Sequence, residues 1–444
     1  MSVESPFASI GSNFMSSSFR LIIGLLSGIV LTRSLGPELK GELSILSLIT
    51  NLYAPILLFG YSGGVLFYGL RKAIDVRDFF WTGFVLTACL SLLSIPLLNL
   101  FAINGFFGGV IQSVDTHDKW IAFAAIPLIF LNNYVERVIR INHLFRAINR
   151  RLNLTVILSA IIYLILWLQG GLNLKSVLLV IFCAHLVALF INVLFAIRTL
   201  KVNFSWQGKL IFYPFTYGWK NWINQIIANS NEKFDQIILT YFLSPLNFGL
   251  YVAGVGISNL LTKIPVSYIN VFYNQISQRS IESALNLYAR TQRITFLFTT
   301  LISIILMLIA HPLISLTYGK DYLDSVEVVL WYAPGLIFQV ASRISVKFYA
   351  GIGMPLKNSL IFLGGFVGSL PFYFWLIPKY GLCGAAMASS VSYFIAFLVS
   401  FIQINRDYDI SLSSVCMVRA KDLSYLMIKL KNLMKSKIVE NTDL

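Results

Sequence analysis

Apolar runs of about 20 residues follow one another along nearly the whole chain, separated by short stretches of charge, Gly, Pro and Asn. A helix of about 20 apolar residues crosses roughly 30 Å of hydrocarbon. The pattern therefore predicts twelve membrane-spanning helices, with approximate limits 10–32, 42–67, 79–101, 120–141, 152–168, 176–197, 212–241, 248–276, 291–314, 327–350, 359–377 and 383–404. They are numbered spans 1 to 12. The runs are too long and continuous for the short alternating strands of a membrane barrel. Spans 4, 7 and 10 stand apart because each carries several polar residues.

Composition agrees with this reading. Of 444 residues, 57% are hydrophobic and only 12% charged, against about a quarter charged in soluble domains. A disordered chain, a collagen-like chain and an ordinary soluble enzyme are excluded. The net charge of +15 is arranged by topology. Taken alternately, one set of loops with the span ends beside them, together with the C-terminal tail, holds 25 of the 34 Lys and Arg, and the other set holds 6. This asymmetry predicts that both termini, and the loops around Arg77, Arg150, Lys209, Arg290 and Lys357, are cytoplasmic. The positive charge is thus a membrane-topology signal, and no nucleic-acid partner is expected. Cys89, Cys183, Cys383 and Cys416 form no CxxC pair, and the four His are scattered; neither a disulfide nor a metal site is expected. No loop has room for a catalytic domain, so the chain reads as a transporter and not an enzyme. Residues 411–439 alternate Leu and Met with Lys at helical spacing, which suggests a basic amphipathic helix on the membrane surface.

The chain also repeats itself. Leu35-Gly36-Pro37-Glu38-Leu39-Lys40-Gly41, between spans 1 and 2, matches Leu243-Ser244-Pro245-Leu246-Asn247-Phe248-Gly249, between spans 7 and 8, at Leu, Pro and Gly. Asn51 and Asn259 share the same offset of 208. Phe145 and Ala147 answer Phe348 and Ala350, and Gly171-Leu172 answers Gly381-Leu382. Two parallel halves of six spans follow, residues 1–205 and 206–405, with a basic tail at 406–444 and a cavity between the halves.

Charges inside spans are costly and normally face a cavity. Arg20 lies mid-span on a face of small and polar residues (Ser9, Asn13, Ser16, Gly24, Ser27), and Lys263 lies mid-span two residues before Pro265. Each is either a cavity group or a structural cation held by carbonyls. Span 7 carries Asn224, Asn231, Glu232, Lys233 and Asp235. Its charges either neutralise one another, or Asp235 or Glu232 serves as a proton or sodium site. Arg137 and Arg140 in span 4, and Arg343 and Lys347 in span 10, form a candidate cytoplasmic vestibule or are ordinary topology anchors. Trp219, Trp222, Tyr217 and Tyr241 either stack on sugars or mark a membrane interface. Isolated basic groups at mid-depth imply an anionic cargo, and a diphosphate offers several acceptor oxygens to Arg and Lys. No phosphate-binding G-x-x-x-x-G-K-[ST] motif is present, so the driving force is expected from an ion gradient, the membrane potential or downstream consumption.

Three segments carry a resemblance to a known family: Arg33 to Gly41, with its L-G-P-x-x-x-G turn; Tyr318-Gly319-Lys320-Asp321-Tyr322; and Gly381-Leu382-Cys383-Gly384-Ala385-Ala386. They resemble turns of the lipid-linked oligosaccharide flippases, such as O-antigen flippases, of the multidrug/oligosaccharidyl-lipid/polysaccharide exporter superfamily. The resemblance implies an all-α, V-shaped fold like that of the superfamily's multidrug exporters, a bacterial inner-membrane location, and undecaprenyl-diphosphate-linked glycan as cargo. Arg20, Lys263, Asn224, Asn231 and Lys233 would then line the diphosphate and glycan cavity. It further implies no cofactor beyond proton or sodium coupling, contact with membrane lipid, and a polysaccharide polymerase and chain-length regulator as partners. The alternative within the superfamily is an ion-coupled multidrug exporter, which would need an acidic, aromatic cavity in place of mid-depth cations.

Overall fold

The computed structural model of the protein describes residues 6–71, 75–142, 144–208, 211–276, 279–354, 356–417, 419 and 422. Among the described residues there is no strand, and helices account for every expected span. Spans 1 and 2 share the run Pro6–Leu48, bent at Gly36. Spans 3 to 6 are Val76–Ile103, Thr116–Ile141, Phe145–Leu168 and Leu174–Phe195. Span 7 is Tyr213–Phe242 and span 8 is Pro245–Leu261 followed by Lys263–Ile276. Spans 9 and 10 are Ile281–Thr317 and Ser325–Gly351, and spans 11 and 12 share Leu356–Tyr408, bent at Gly381. Eight helices among the described residues are long and apolar enough to cross a membrane. Spans 7 and 8 fall outside that set because one is polar and the other is split. The amphipathic segment expected at 411–439 lies outside the described residues from 423 onward.

The repeated heptads are corners between helices. Gly36 sits at φ 71, ψ 170, a conformation open to glycine and strained for other residues. Pro37 then opens the next helical segment, where its missing N–H costs nothing. The second heptad turns by another route. Leu243 is extended, and the Ser244 hydroxyl accepts from the Asn247 N–H at 3.3 Å, capping a helix that begins at Pro245.

The two corners meet each other. A Cβ placed on Gly41 would strike the Pro245 carbonyl, and a Cβ on Gly249 would strike the Pro37 carbonyl. Each heptad therefore puts its glycine against the other's proline, backbone on backbone. Small residues that let helices approach this closely are the usual source of packing energy in membranes, where burial of apolar surface gives little.

Span 2 departs from the uninterrupted helix expected at 42–67. After Leu48 it widens into a π turn at Ile49–Tyr53, tightens into a 3₁₀ turn at Ala54–Leu58, and resumes as Tyr61–Leu70. Pro55 lies in this stretch and cannot donate to the helical ladder. The Ile56 carbonyl accepts from Trp222 Nε1 of span 7 at 3.1 Å. Just beyond, Gly60 and Gly218 face each other's carbonyls and Gly64 abuts the Pro214 carbonyl, so that span 2, already close to span 8 at Gly41, also crosses span 7 closely. Span 8 breaks after Leu261, the residue whose carbonyl would have received the N–H that Pro265 lacks.

By packing, the chain divides into two units, Met1–Ala253 with Ile314–Asp324, and Gly254–Leu313 with Ser325–Leu444. In the first, Tyr61, Phe79, Phe80, Tyr134, Val138 and Ile139 form a closed core, and the Tyr134 hydroxyl donates to the Phe80 carbonyl at 3.0 Å. In the second, Ile269, Phe272, Tyr288, Ile344, Phe348 and Ile404 do the same. There Gln292 donates to the Ala341 carbonyl at 2.9 Å. Arg293 grips Asp422 with two hydrogen bonds, 2.6 and 2.9 Å, and donates to the Ser414 carbonyl at 2.6 Å. This fork ties the segment after span 12 to the start of span 9.

Two predictions follow from these contacts. Gly249→Val forces a side chain into the Pro37 carbonyl and should cost about 1–3 kcal/mol, lowering the thermal midpoint of the purified protein. Gly256→Ala, with nothing within 4 Å of its added carbon, should leave the midpoint unchanged or raise it slightly. The second prediction concerns pH. The Arg293 guanidinium holds the Asp422 carboxyl below its usual range. A depressed carboxyl contributes stability above its unfolded value of about 3.9, and loses it as pH falls through the folded value. Protease protection of the chain after residue 416 should therefore be constant from pH 8 to about pH 5 and fall only in stronger acid. Asp422→Asn should remove the protection at all pH values.

Candidate functional site

Several charged side chains lie within the spans. Arg20 is half-buried on span 1. Its Nη1 donates to Asn153 Oδ1 of span 5 at 2.8 Å and its Nη2 to Ser17 Oγ at 3.2 Å. Both partners are neutral side chains. A planar guanidinium carries five N–H donors, so this arrangement leaves donor capacity and charge for an anion.

Sequence reasoning missed two residues of this neighbourhood. Glu136 on span 4 lies 3.7 Å from Arg140, four residues on, and acts electrostatically on Arg20 and Arg151. It was overlooked because it stands among the arginines read as topology anchors; its i, i+4 spacing to Arg140 is the signal that marks it. Asn153 carries no such signal, since nothing in a lone Asn points across to another span. Arg151 packs its guanidinium over the Phe195 ring at 3.8 Å and donates Nε to the Ala147 carbonyl at 3.0 Å. Beside it, Glu136 and Arg151 border a cavity of about 220 Å³ whose other walls, from spans 5 and 6, are mostly aliphatic with Thr155, Ser159, Cys183 and Asn192 among them.

Span 7 presents a different arrangement. Asp235 is buried, and its carboxylate accepts from the Tyr251 hydroxyl of span 8 at 2.7 Å and from the Gln236 N–H at 2.8 Å. Lys233 is exposed and reaches Gln236 Oε1 at 3.4 Å. Among the described residues Lys233 and Asp235 form no ion pair, and the direct partner of Asp235 is Tyr251, a bond between spans 7 and 8. The side chains of Asn224, Asn231 and Glu232 lie outside the described residues. Lys233 also borders a cavity with Lys40 of span 2.

The remaining candidates are dispersed. Lys263 opens the second segment of span 8 and is exposed. Arg137 and Arg140 belong to the first packing unit, Arg343 and Lys347 to the second; Lys347 lies 5.5 Å from the Tyr273 ring. Arg20 and Lys233 share no partner among the described residues. The aromatics of span 7 are occupied as packing groups: Tyr217 stacks on Phe67 with centroids 3.5 Å apart, Trp222 lies 5.3 Å from Phe59, and Tyr241 donates to the Phe106 carbonyl.

With this geometry in hand, comparison with known proteins is informative. The capsular polysaccharide biosynthesis protein CapF of Staphylococcus aureus is 24% identical over 411 residues, covering 87% of this chain and 95% of that protein. A putative O-antigen transporter of Shigella flexneri is 22% identical over 379 residues, covering 81% and 88%. Among solved structures, the lipid II flippase MurJ in an inward closed conformation superposes with a TM-score of 0.69 at 16% identity, covering 97% of this chain and 92% of that one. The likeness to MurJ shows a shared all-helical fold. The family described as polysaccharide biosynthesis protein matches residues 30–327, about two thirds of the chain, and the protein is a member of that family.

Proposed function

We propose that the protein is a flippase that moves undecaprenyl-diphosphate-linked oligosaccharide from the cytoplasmic to the outer leaflet of the bacterial inner membrane, for O-antigen, capsule or exopolysaccharide assembly. The observation that carries this reading is Arg20, a guanidinium within a membrane span held by Asn153 and Ser17 and not by a carboxylate. Such a cation costs at least about 2.5–3.5 kcal/mol in the bilayer, a cost that an anionic cargo offsets by charge-assisted hydrogen bonds. Family membership supports a polysaccharide pathway, and the MurJ fold supports transport.

In this reading both termini are cytoplasmic, the sugar passes through the protein, and the polyprenyl tail remains in lipid. The two six-span halves expose the path alternately to each side. Arg20, Lys233 and Lys263 attract the diphosphate, Asn224 and Asn231 contact sugar, and Arg137, Arg140, Arg343 and Lys347 draw the headgroup in. Asp235, or its neighbour Glu232, couples the cycle to protons or sodium. The Tyr251 hydroxyl and the Gln236 N–H hold the Asp235 carboxylate at the contact of spans 7 and 8, and movement of span 8 against span 7 would withdraw the Tyr251 bond and change its surroundings. A polymerase and a chain-length regulator take the product.

The test is export of surface glycan by a deletion strain carrying variants at normal membrane levels. Arg20→Ala should abolish export, and Arg20→Lys should retain part of it, since charge is kept and the planar fork is lost. Wild-type export by Arg20→Ala would make the residue structural and move the diphosphate site elsewhere.

A further inference from the structure

Between the two close crossings of span 2 lies a cavity of about 350 Å³. One face of span 2 supplies Lys40, Ser44, Ser47 and Asn51, and span 7 supplies Lys233 and Gln236. These span 2 positions, four, seven and eleven residues from the first, are one helical stripe. Leu and Val form the rest of the wall.

The charge balance of this cavity is one-sided. It holds two ammonium groups, and no carboxylate lines it among the described residues. Neither lysine is in an ion pair there; Lys233 reaches only the neutral Gln236 amide. The nearby Asp235 carboxylate is occupied by Tyr251 and the Gln236 N–H. With two ammonium groups and no carboxylate in its described wall, the cavity is suited to an anion that can bridge both by charge-assisted hydrogen bonds. Its volume is at the low end of small-molecule sites, roughly 300–1,000 Å³. That suits a diphosphate and excludes an oligosaccharide.

We infer that Lys40 and Lys233, with Gln236 and Ser47, form a second anion site, separate from Arg20, that holds the diphosphate of the lipid carrier beside the Leu35–Gly41 turn. The inference rests on the flippase reading and adds to it a station at the turn end of spans 2 and 7. An acidic sugar of the glycan offers related chemistry, and the test separates the two.

Farnesyl diphosphate serves as probe, with binding to the full-length detergent-purified protein measured by microscale thermophoresis. Wild type should bind it. Lys40→Gln/Lys233→Gln should bind roughly tenfold more weakly, the loss of at least one charge-assisted contact, while Lys40→Arg/Lys233→Arg, which keeps both charges and changes their geometry, should keep more of the binding than the Gln pair. The loss should add to that of Arg20→Ala, as for independent sites. Inorganic diphosphate should compete and glucuronate should not. Wild-type binding by the double Gln variant, with the Arg20→Ala loss intact, would overturn the second site alone. Competition by glucuronate matching that of inorganic diphosphate would assign the lysines to sugar and overturn the diphosphate assignment. Absence of binding by the wild type itself would overturn the flippase reading, and this inference with it.

Discussion

Backbone contact between the two repeated corners is the constraint on which the first unit is organised. Gly41 and Gly249 each lie against a proline carbonyl of the other heptad, Pro245 and Pro37. A side chain at either glycine would part the helices. In lipid, dispersion between closely packed backbones replaces the apolar burial that drives soluble packing. The Pro-to-Gly spacing of four residues places the two features one turn apart on the same helix face, so each heptad carries both halves of the contact. With the Gly60–Gly218 and Gly64–Pro214 crossing further along, span 2 is held against its neighbours at two points. The irregular stretch from Ile49 to Leu58 lies between them. That stretch is where span 2 departs from a straight rod, and the polar cavity opens just before it.

Charge follows the same logic. A cation in a span must find donors' counterparts nearby, and the protein provides neutral ones: Asn153 and Ser17 for Arg20, Gln236 for Lys233. Neutral partners fix the position of a charge without cancelling it. Asp235 is treated in the converse way, its carboxylate held by a tyrosine and a backbone N–H. Where the chain does pair opposite charges tightly, at Arg293 and Asp422, the result is attachment of the segment after span 12. Cancelled charge serves structure here, whereas the proposed function assigns the uncancelled charge of Arg20 to cargo.

Much of this was legible in the sequence, and the limits are physical. Apolar run length marked all twelve spans, because hydrocarbon thickness sets helix length. Pro265 marked the break in span 8, because a missing N–H acts locally. Pro55 was equally visible, yet the π and 3₁₀ turns around it were not, since their form depends on contacts with span 7 such as Trp222 to Ile56. The repeat exposed the matching heptads but not their mutual contact, which needs three-dimensional proximity. At the candidate site, Arg20 and Asp235 stood out as charges in apolar surroundings. Their partners Asn153 and Tyr251 did not, because neutral residues carry no such contrast. Lys40, beside the turn, read as a loop charge, and only the helical register of span 2 turns it toward Lys233.

The proposed activity is movement of a diphosphate-linked glycan lipid across the bilayer. Its most direct measurement is reconstitution of the purified protein into liposomes containing a fluorescent prenyl-diphosphate oligosaccharide, with a membrane-impermeant quencher reporting the leaflet of the sugar. The account predicts protein-dependent transfer of the glycan between leaflets, well above that of protein-free vesicles and lost with Arg20→Ala. Equal rates with and without folded wild-type protein would contradict it.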